Sequence, residues 1–240
     1  MYSFGIYDSG IGGLTTLCVL KKVFPHCDFY YLADNGNNPL GTKKYEEIVS
    51  VVSDGVDILR RNSHVQVIAC NTASTVVNPK NTFHLRPNLD TLVAENTLLL
   101  CTPATEKALG LQEKGFALGD TKNLATAVEI MGETTFKAKD FSLFGNLETY
   151  LKTIIDNAMK DKKIDTIYLG CSHYLFFKHI VKKLYPDKNI IDGNDRLLGE
   201  IMKLKNIKNG SGKTFFDFTL GNQTKKYDWL LARLDEYLDF

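Results

Sequence analysis

Short apolar runs alternate with longer amphipathic stretches along the chain. Apolar residues at 4–7, 29–32 and 65–69 predict three buried strands, and apolar residues at helical spacing over 14–24 and 45–62 predict the helices between them. The order strand, helix, strand, helix, strand favours a parallel sheet with helices on its faces.

A similar pattern returns in the second half of the chain. Strands are predicted at 97–101, 166–169 and 188–192, and helices at 105–114, 147–160 and 227–238. After Val77 the pattern becomes looser, with breakers at Asn78-Pro79 and Arg86-Pro87-Asn88.

Two cysteine-containing segments have the same design. Val67-Ile68-Ala69-Cys70-Asn71-Thr72 and Tyr168-Leu169-Gly170-Cys171-Ser172-His173 each place an apolar strand, a small residue and a cysteine before polar residues. The similarity is what two related half-domains facing each other across a cleft would give. We predict an α/β fold of two pseudo-symmetric domains, each a mainly parallel sheet flanked by helices, with the active site between them. The first domain is expected to comprise residues 1–90 plus 193–240, and the second residues 91–192.

Composition narrows the class of protein. Hydrophobic residues make up 44% and charged residues 24% of the chain, and the formal net charge is +1, as in ordinary globular proteins. This balance predicts neither a nucleic-acid partner nor membrane association, and no stretch of 18 apolar residues is present. The expected location is cytoplasmic. Five cysteines without close pairs argue against a disulfide framework.

The first chemical motif is Asp8-Ser9-Gly10-Ile11-Gly12-Gly13, between a predicted strand and helix. Glycines there allow close approach of a ligand, and the amides of the following helix suit a carboxylate. Thr15 stands where a dinucleotide-binding loop has its third glycine. The alternative interpretation is a simple tight turn.

Each cysteine of the paired segments follows a strand, where ligand sites of α/β proteins form. At a helix start the pKa of the Cys70 thiol is expected to be lowered. His173 could orient a substrate or hold the proton of the Cys171 thiol. The alternatives are buried structural cysteines or, for these three residues, an incomplete zinc site; we predict no metal.

The three segments together resemble those of glutamate racemases in the aspartate/glutamate racemase superfamily. Aspartate racemases of the superfamily usually carry glutamate at the position of His173, so this histidine favours glutamate as the substrate. Weaker similarities extend over most of the chain. They lie at Tyr31-Leu32-Ala33-Asp34, Pro39-Leu40-Gly41-Thr42-Lys43, Ala127-Val128-Glu129 and Thr219-Leu220-Gly221-Asn222.

The resemblance implies a set of site residues and no cofactor. It places Asp8 beside the first catalytic thiol, and Glu129 and His173 beside the second. It implies that Pro39, Leu40 and Gly41 belong to a substrate loop. Further candidates to hold the carboxylates and ammonium of the substrate are Ser9, Asn71, Thr72 and Ser172. Leu40 and Leu175 depart from the family pattern, which normally has tyrosine and proline at these positions. The stretch between Ser74 and Leu98 is shorter than in the family, so we expect a missing or degraded strand there.

The implied reaction interconverts L- and D-glutamate through two opposed thiols. One thiolate removes the Cα proton, and the other thiol returns a proton on the opposite face. Such a reaction would supply D-glutamate for peptidoglycan, and relatives are commonly homodimers. Three alternatives stay open. They are a racemase acting on aspartate or another amino acid, a thiol hydrolase or transferase using one cysteine with His173, and an inactive relative.

Overall fold

The computed structural model describes residues 2–205, 207–208 and 210–237, with side chains as far as residue 234. Strands and helices alternate in both halves of the chain. The first half contains β1 (Ser3–Asp8), α1 (Leu14–Val23), β2 (Asp28–Ala33), α2 (Tyr45–Asn62), β3 (Val65–Ile68), α3 (Asn71–Val76) and β4 (Thr82–His84).

The second half has the same alternation, and the chain then returns to the first half. Its elements are β5 (Thr97–Cys101), α4 (Pro103–Leu109), β6 (Ala117–Leu118), α5 (Leu124–Ala138), α6 (Glu148–Met159), β7 (Thr166–Gly170), α7 (Lys178–Leu184) and β8 (Asn189–Asp192). The last elements are α8 (Asn194–Ile201), β9 (Thr214–Phe218) and α9 (Thr224–Tyr237). Short 3₁₀ helices occur at Leu40–Thr42, Leu89–Thr91, Ala94–Asn96, Phe141–Leu147 and Ser172–Phe177.

The two sheets share one topology. The first has the strand order β4-β3-β1-β2-β9 and the second the order β6-β5-β7-β8, with parallel pairing of neighbours throughout. Followed from β2, the first sheet reads β2-β1-β3-β4, which the second repeats as β6-β5-β7-β8. The two halves therefore have the same connectivity, and the predicted pseudo-symmetric α/β fold is confirmed. β9 adds a strand to the outer edge of the first sheet.

The halves share a buried apolar core. A single cluster of buried side chains contains Ile11 after β1, Val128 on α5 and Leu230 on α9. Gly132 on α5 lies so close to Ile11 that a Cβ placed on it would be 2.5 Å from Ile11 Cδ1. Burial of apolar surface thus stabilises the contact between the halves as well as each half.

Most predicted elements are observed, and the differences have local causes. The helix expected at 105–114 is instead Pro103–Leu109, since the Thr102 hydroxyl accepts from the Thr105 amide at its start and Gly110 ends it with a φ of 58°. A missing or degraded strand was expected between residues 74 and 98. The structure has a strand there, β4, with only three residues. The last residue of the helix expected at 227–238 lies outside the described residues.

Among the described residues, no helix combines the length and the apolar character that crossing a membrane requires.

Candidate active site

The carboxyl ends of the central strands bring the sequence motifs together. Asp8 ends β1, and Cys70 follows its neighbour β3, where Tyr7 pairs with Ile68. In the other half, Cys171 directly follows β7. Because ligand sites of parallel sheets form at this edge of the strands, both halves contribute to one candidate site.

Asp8 joins the two halves at the centre of the site. Its Oδ1 accepts a hydrogen bond from the Gly10 amide at 2.8 Å, and its Oδ2 accepts one from Ser172 Oγ at 2.8 Å. Burial raises the pKa of the Asp8 carboxyl, against the lowering effects of the nearby His173 and of these two hydrogen bonds. The carboxyl is therefore held rigidly between the first glycine loop and the second cysteine segment.

Cys70 is 5% exposed, and its Sγ atom lies 3.9 Å from Ser9 Oγ. Burial, followed by the negative charge of Asp8, raises the pKa of the Cys70 thiol well above its ordinary value. The expectation of a lowered thiol pKa was therefore wrong. Cys70 does precede a helix, but α3 has six residues, and burial beside a carboxylate outweighs its N-terminus.

Cys171 and Glu129 contact opposite nitrogens of the His173 imidazole. The Nδ1 atom lies 3.9 Å from Cys171 Sγ, and Nε2 lies 2.8 Å from Glu129 Oε1. Burial lowers the pKa of His173, but the hydrogen bonds to Cys171 and Glu129 outweigh it and raise this pKa well above its ordinary value. The raised pKa favours the protonated form of His173, in which both ring nitrogens are donors.

The glycine loop makes this arrangement possible by leaving space for it. A Cβ on Gly10 would lie 1.8 Å from Glu129 Oε1, and one on Gly12 would lie 2.4 Å from Ser172 Oγ. The same Glu129 oxygen accepts from the Ile11 amide at 2.7 Å. The loop of the first half therefore receives side chains from the second half directly against its backbone.

Three threonine hydroxyls form a second link between the halves. Thr72 Oγ1 lies 2.8 Å from Thr102 Oγ1, which lies 3.0 Å from Thr105 Oγ1, and Thr105 Oγ1 lies 3.4 Å from Thr72 Oγ1. All three residues are buried. Gly41 packs against this group, since a Cβ on it would be 2.6 Å from Thr102 Cβ. Thr72 and Gly41 were predicted site residues, whereas Thr102 and Thr105 were not.

The repeat of the fold would have revealed Thr102. Register places Leu100 of β5 beside Leu169, as it places Tyr7 of β1 beside Ile68, and each partner lies two residues before a site cysteine. Thr102 therefore corresponds to Ser9, each two residues further along its chain segment. Aligning the two halves around their cysteines would have identified Thr102, which the motifs taken singly did not.

The other predicted substrate residues differ in their surroundings. Asn71 is 1% exposed, and its side-chain Nδ2 and Oδ1 have no hydrogen-bond partner among the described residues. A buried amide in this condition is typical of a position that a ligand completes. Leu40 is 1% exposed and belongs to an apolar cluster that includes Cys70, and Pro39 directly precedes the 3₁₀ helix that Leu40 begins.

The residues that the structure describes contain no group of three or more histidine, cysteine, aspartate or glutamate side chains placed to hold a metal ion.

Each half thus contributes one buried cysteine to the candidate site. The chain is 32% identical to the glutamate racemase of Persephonella marina, over 88% of this chain and 85% of that protein. It is 30% identical to the glutamate racemase of Halothermothrix orenii, over 98% and 97% of the two chains. The chain belongs to the glutamate racemase family.

Two further comparisons concern a solved structure and the models of protein families. The solved structure of Escherichia coli glutamate racemase has the same fold, with a TM-score of 0.76, 21% identity and coverage of 98% of this chain and 95% of that one. No model of a protein family matches the chain.

Proposed function

We propose that this chain interconverts L- and D-glutamate without a cofactor, using Cys70 and Cys171 as the two acid/base groups. The observation that carries the proposal is the placement of the two thiols on equivalent strand ends of two pseudo-symmetric halves. A single base reaches one face of a Cα atom, whereas groups from opposite halves can reach both. Family membership supports glutamate as the substrate.

The surroundings of the thiols support different starting protonation states. The raised pKa of Cys70 favours the neutral thiol on the first half. On the second half, His173 Nδ1 lies 3.9 Å from Cys171 Sγ and is placed to exchange a proton with this sulfur. We infer that one sulfur begins as the base and the other as the acid, and that each turnover exchanges these two states.

The remaining polar groups support binding of a dicarboxylate with an ammonium group. The buried hydroxyls of Ser9, Ser172 and Thr72 and the unpartnered Asn71 amide surround the thiols or adjoin them in the chain. Asp8 offers a negative charge for the ammonium group. The low exposure of both sulfurs excludes bulk water, which strengthens these interactions and helps to stabilise the carbanionic transition state.

The proposal is tested by incubating the purified protein with L-glutamate, without added cofactor, and resolving the products by chiral chromatography. We expect D-glutamate to accumulate until the two enantiomers are equal. L-aspartate is the matched comparison substrate, and a preference for it would favour the related racemase reaction. Absence of inversion with both amino acids would support an inactive relative.

We further propose a role in supplying D-glutamate for peptidoglycan, in the cytoplasm, by a homodimer. These parts of the proposal rest on family membership. Sedimentation velocity tests the dimer, because a single species at the 27.0 kDa mass of one chain would contradict it.

A further inference from the structure

A cavity of about 590 Å³ lies between the substrate loop of the first half and α4 of the second. Its size falls in the range of small-molecule sites. The cavity is lined by Thr42, Lys43, Lys44, Tyr45, Ile48, Thr75, Val76, Ala104, Lys107 and Ala108. Both halves of the molecule therefore contribute to its walls.

The charge of this cavity is one-sided. Lys43, Lys44 and Lys107 contribute three ammonium groups, and none of the ten lining residues is acidic. Among the described residues, none of these lysines forms an ion pair. The acidic residues that adjoin the lining in the chain are Glu46, Glu47 and Glu106, and Glu47 directs its carboxylate to the backbone amide of Lys44 at 3.1 Å. The lining itself therefore carries positive charge and no negative charge.

The cavity adjoins the wall of the thiol site. Thr42 follows Gly41, which packs on Thr102. Ala104 lies in the chain between Thr102 and Thr105, and the hydroxyls of both threonines bond Thr72. Thr75 lines the cavity, and its Oγ1 donates to the carbonyl of Asn71 at 2.8 Å. Asn71 lies one helical turn earlier in α3. A molecule in the cavity would be separated from the thiols by the Gly41 and threonine layer.

We propose that this basic cavity is the outer binding site at which the anionic substrate first binds before it passes between the halves. The inference rests on the proposed function. Glutamate carries two carboxylates and one ammonium group at neutral pH, so its net charge is negative. Three lysines that form no ion pair among the described residues attract such an anion. Both thiols are 5% exposed, so the substrate must enter between the halves, and this cavity lies on that seam.

The charge is tested with the triple variant Lys43→Gln, Lys44→Gln, Lys107→Gln. Its matched control removes the same three charges from the exposed end of α6, as Lys160→Gln, Lys162→Gln, Lys163→Gln. We expect the cavity variant to bind D-glutamate about tenfold more weakly at low ionic strength, with a similar loss in kcat/KM and an unchanged kcat. The difference should shrink as added salt screens the charges.

The passage is tested separately by filling the cavity without changing charge. Ala108→Trp places a large ring among its lining residues. Ala232→Trp is the control, because it fills a different cavity of about 520 Å³ between α1 and α9. We expect Ala108→Trp to lower both the rate of glutamate entry and kcat/KM. We expect Ala232→Trp to change neither.

Isothermal titration calorimetry with D-glutamate gives a readout besides turnover. Equal affinities of the cavity and control charge variants at every ionic strength, together with normal kcat/KM in Ala108→Trp, would overturn the outer site. Wild-type protein that neither binds nor racemises glutamate would overturn the proposed function and the outer site together. Wild-type racemisation with unaffected cavity variants would overturn the outer site alone.

Discussion

His173 lies between two groups that stabilise its charged form. Its hydrogen bonds to Cys171 and Glu129 outweigh burial and raise its pKa above the value near 6.5 of a free imidazole. A raised pKa means that the proton is held at neutral pH and is lost only as the pH rises through the value in the folded protein. We therefore expect activity to fall on the alkaline side as this proton leaves.

Glu129→Gln tests this assignment, because glutamine keeps a hydrogen-bond acceptor but removes the charge. We expect the alkaline limb of the kcat/KM profile to move to lower pH, because the Glu129 charge that helps to raise the pKa of His173 is lost. Glu133→Gln is the control, since Glu133 lies one turn further along α5 and pairs with Lys137 and Lys226 instead. An unchanged profile in Glu129→Gln would show that His173 does not depend on this carboxylate.

At the residue scale, motifs predicted which residues meet but not their electrostatics. Asp8, Cys70, Cys171 and His173 could be found because each lies at or just after a strand end within a short motif. The raised pKa of Cys70 could not be predicted, because it depends on burial and on a carboxylate 62 positions away in the chain. Such a distance appears only once β1 and β3 are paired.

At the scale of elements, the turn from β1 to α1 depends on the small size of Gly10. A Cβ there would lie 1.8 Å from Glu129 Oε1, so Gly10→Ala must displace the carboxylate from His173 and the Ile11 amide. We expect kcat/KM to fall by about a hundredfold, the cost of a displacement near 1 Å in a catalytic group.

Gly199→Ala is the matched control for that substitution. No atom lies within 4 Å of a Cβ at this position in α8. We expect unchanged activity and a gain of about 0.5–1 kcal/mol in the free energy of unfolding, since alanine restricts the unfolded helix segment. Normal activity in Gly10→Ala would contradict the proposed contact between the glycine loop and Glu129.

The elements with strong periodicity were the ones that the sequence could predict. The helix over 45–62 and the strand over 97–101 begin and end where the apolar pattern does. α5 was not predicted, because Gly132, Thr134 and Thr135 interrupt its apolar positions, and its formation depends on packing against the other half. β4 and β6 have three and two residues, too few for a period to show.

At the scale of the whole molecule, the threonine group joins the halves through hydroxyls alone. Thr105→Val keeps the branched shape but leaves the buried Thr72 and Thr102 hydroxyls with one partner fewer. We expect a loss of about 1–2 kcal/mol in the free energy of unfolding, measured by urea denaturation.

Thr134→Val provides the comparison for the threonine group. Thr134 Oγ1 donates to the Ile130 carbonyl within α5 at an exposed position. We expect its removal to change stability by less than about 0.5 kcal/mol. Equal effects of the two substitutions would show that the hydroxyl group between the halves adds nothing beyond an ordinary surface bond.

The joint action of the halves is most directly tested by solvent labelling in D₂O, in which the two enantiomers are separated by chiral chromatography and the Cα proton of each is then measured by NMR. In wild-type protein given L-glutamate, we expect D-glutamate to carry deuterium at Cα while unreacted L-glutamate keeps its proton early in the reaction. Cys70→Ser and Cys171→Ser should each lose inversion by at least about a hundredfold, whereas Cys27→Ser, a buried cysteine that precedes β2 and contacts the Lys208 carbonyl, should not. Inversion that survives in either of the two site variants at the wild-type rate would contradict a reaction carried by two opposed thiols.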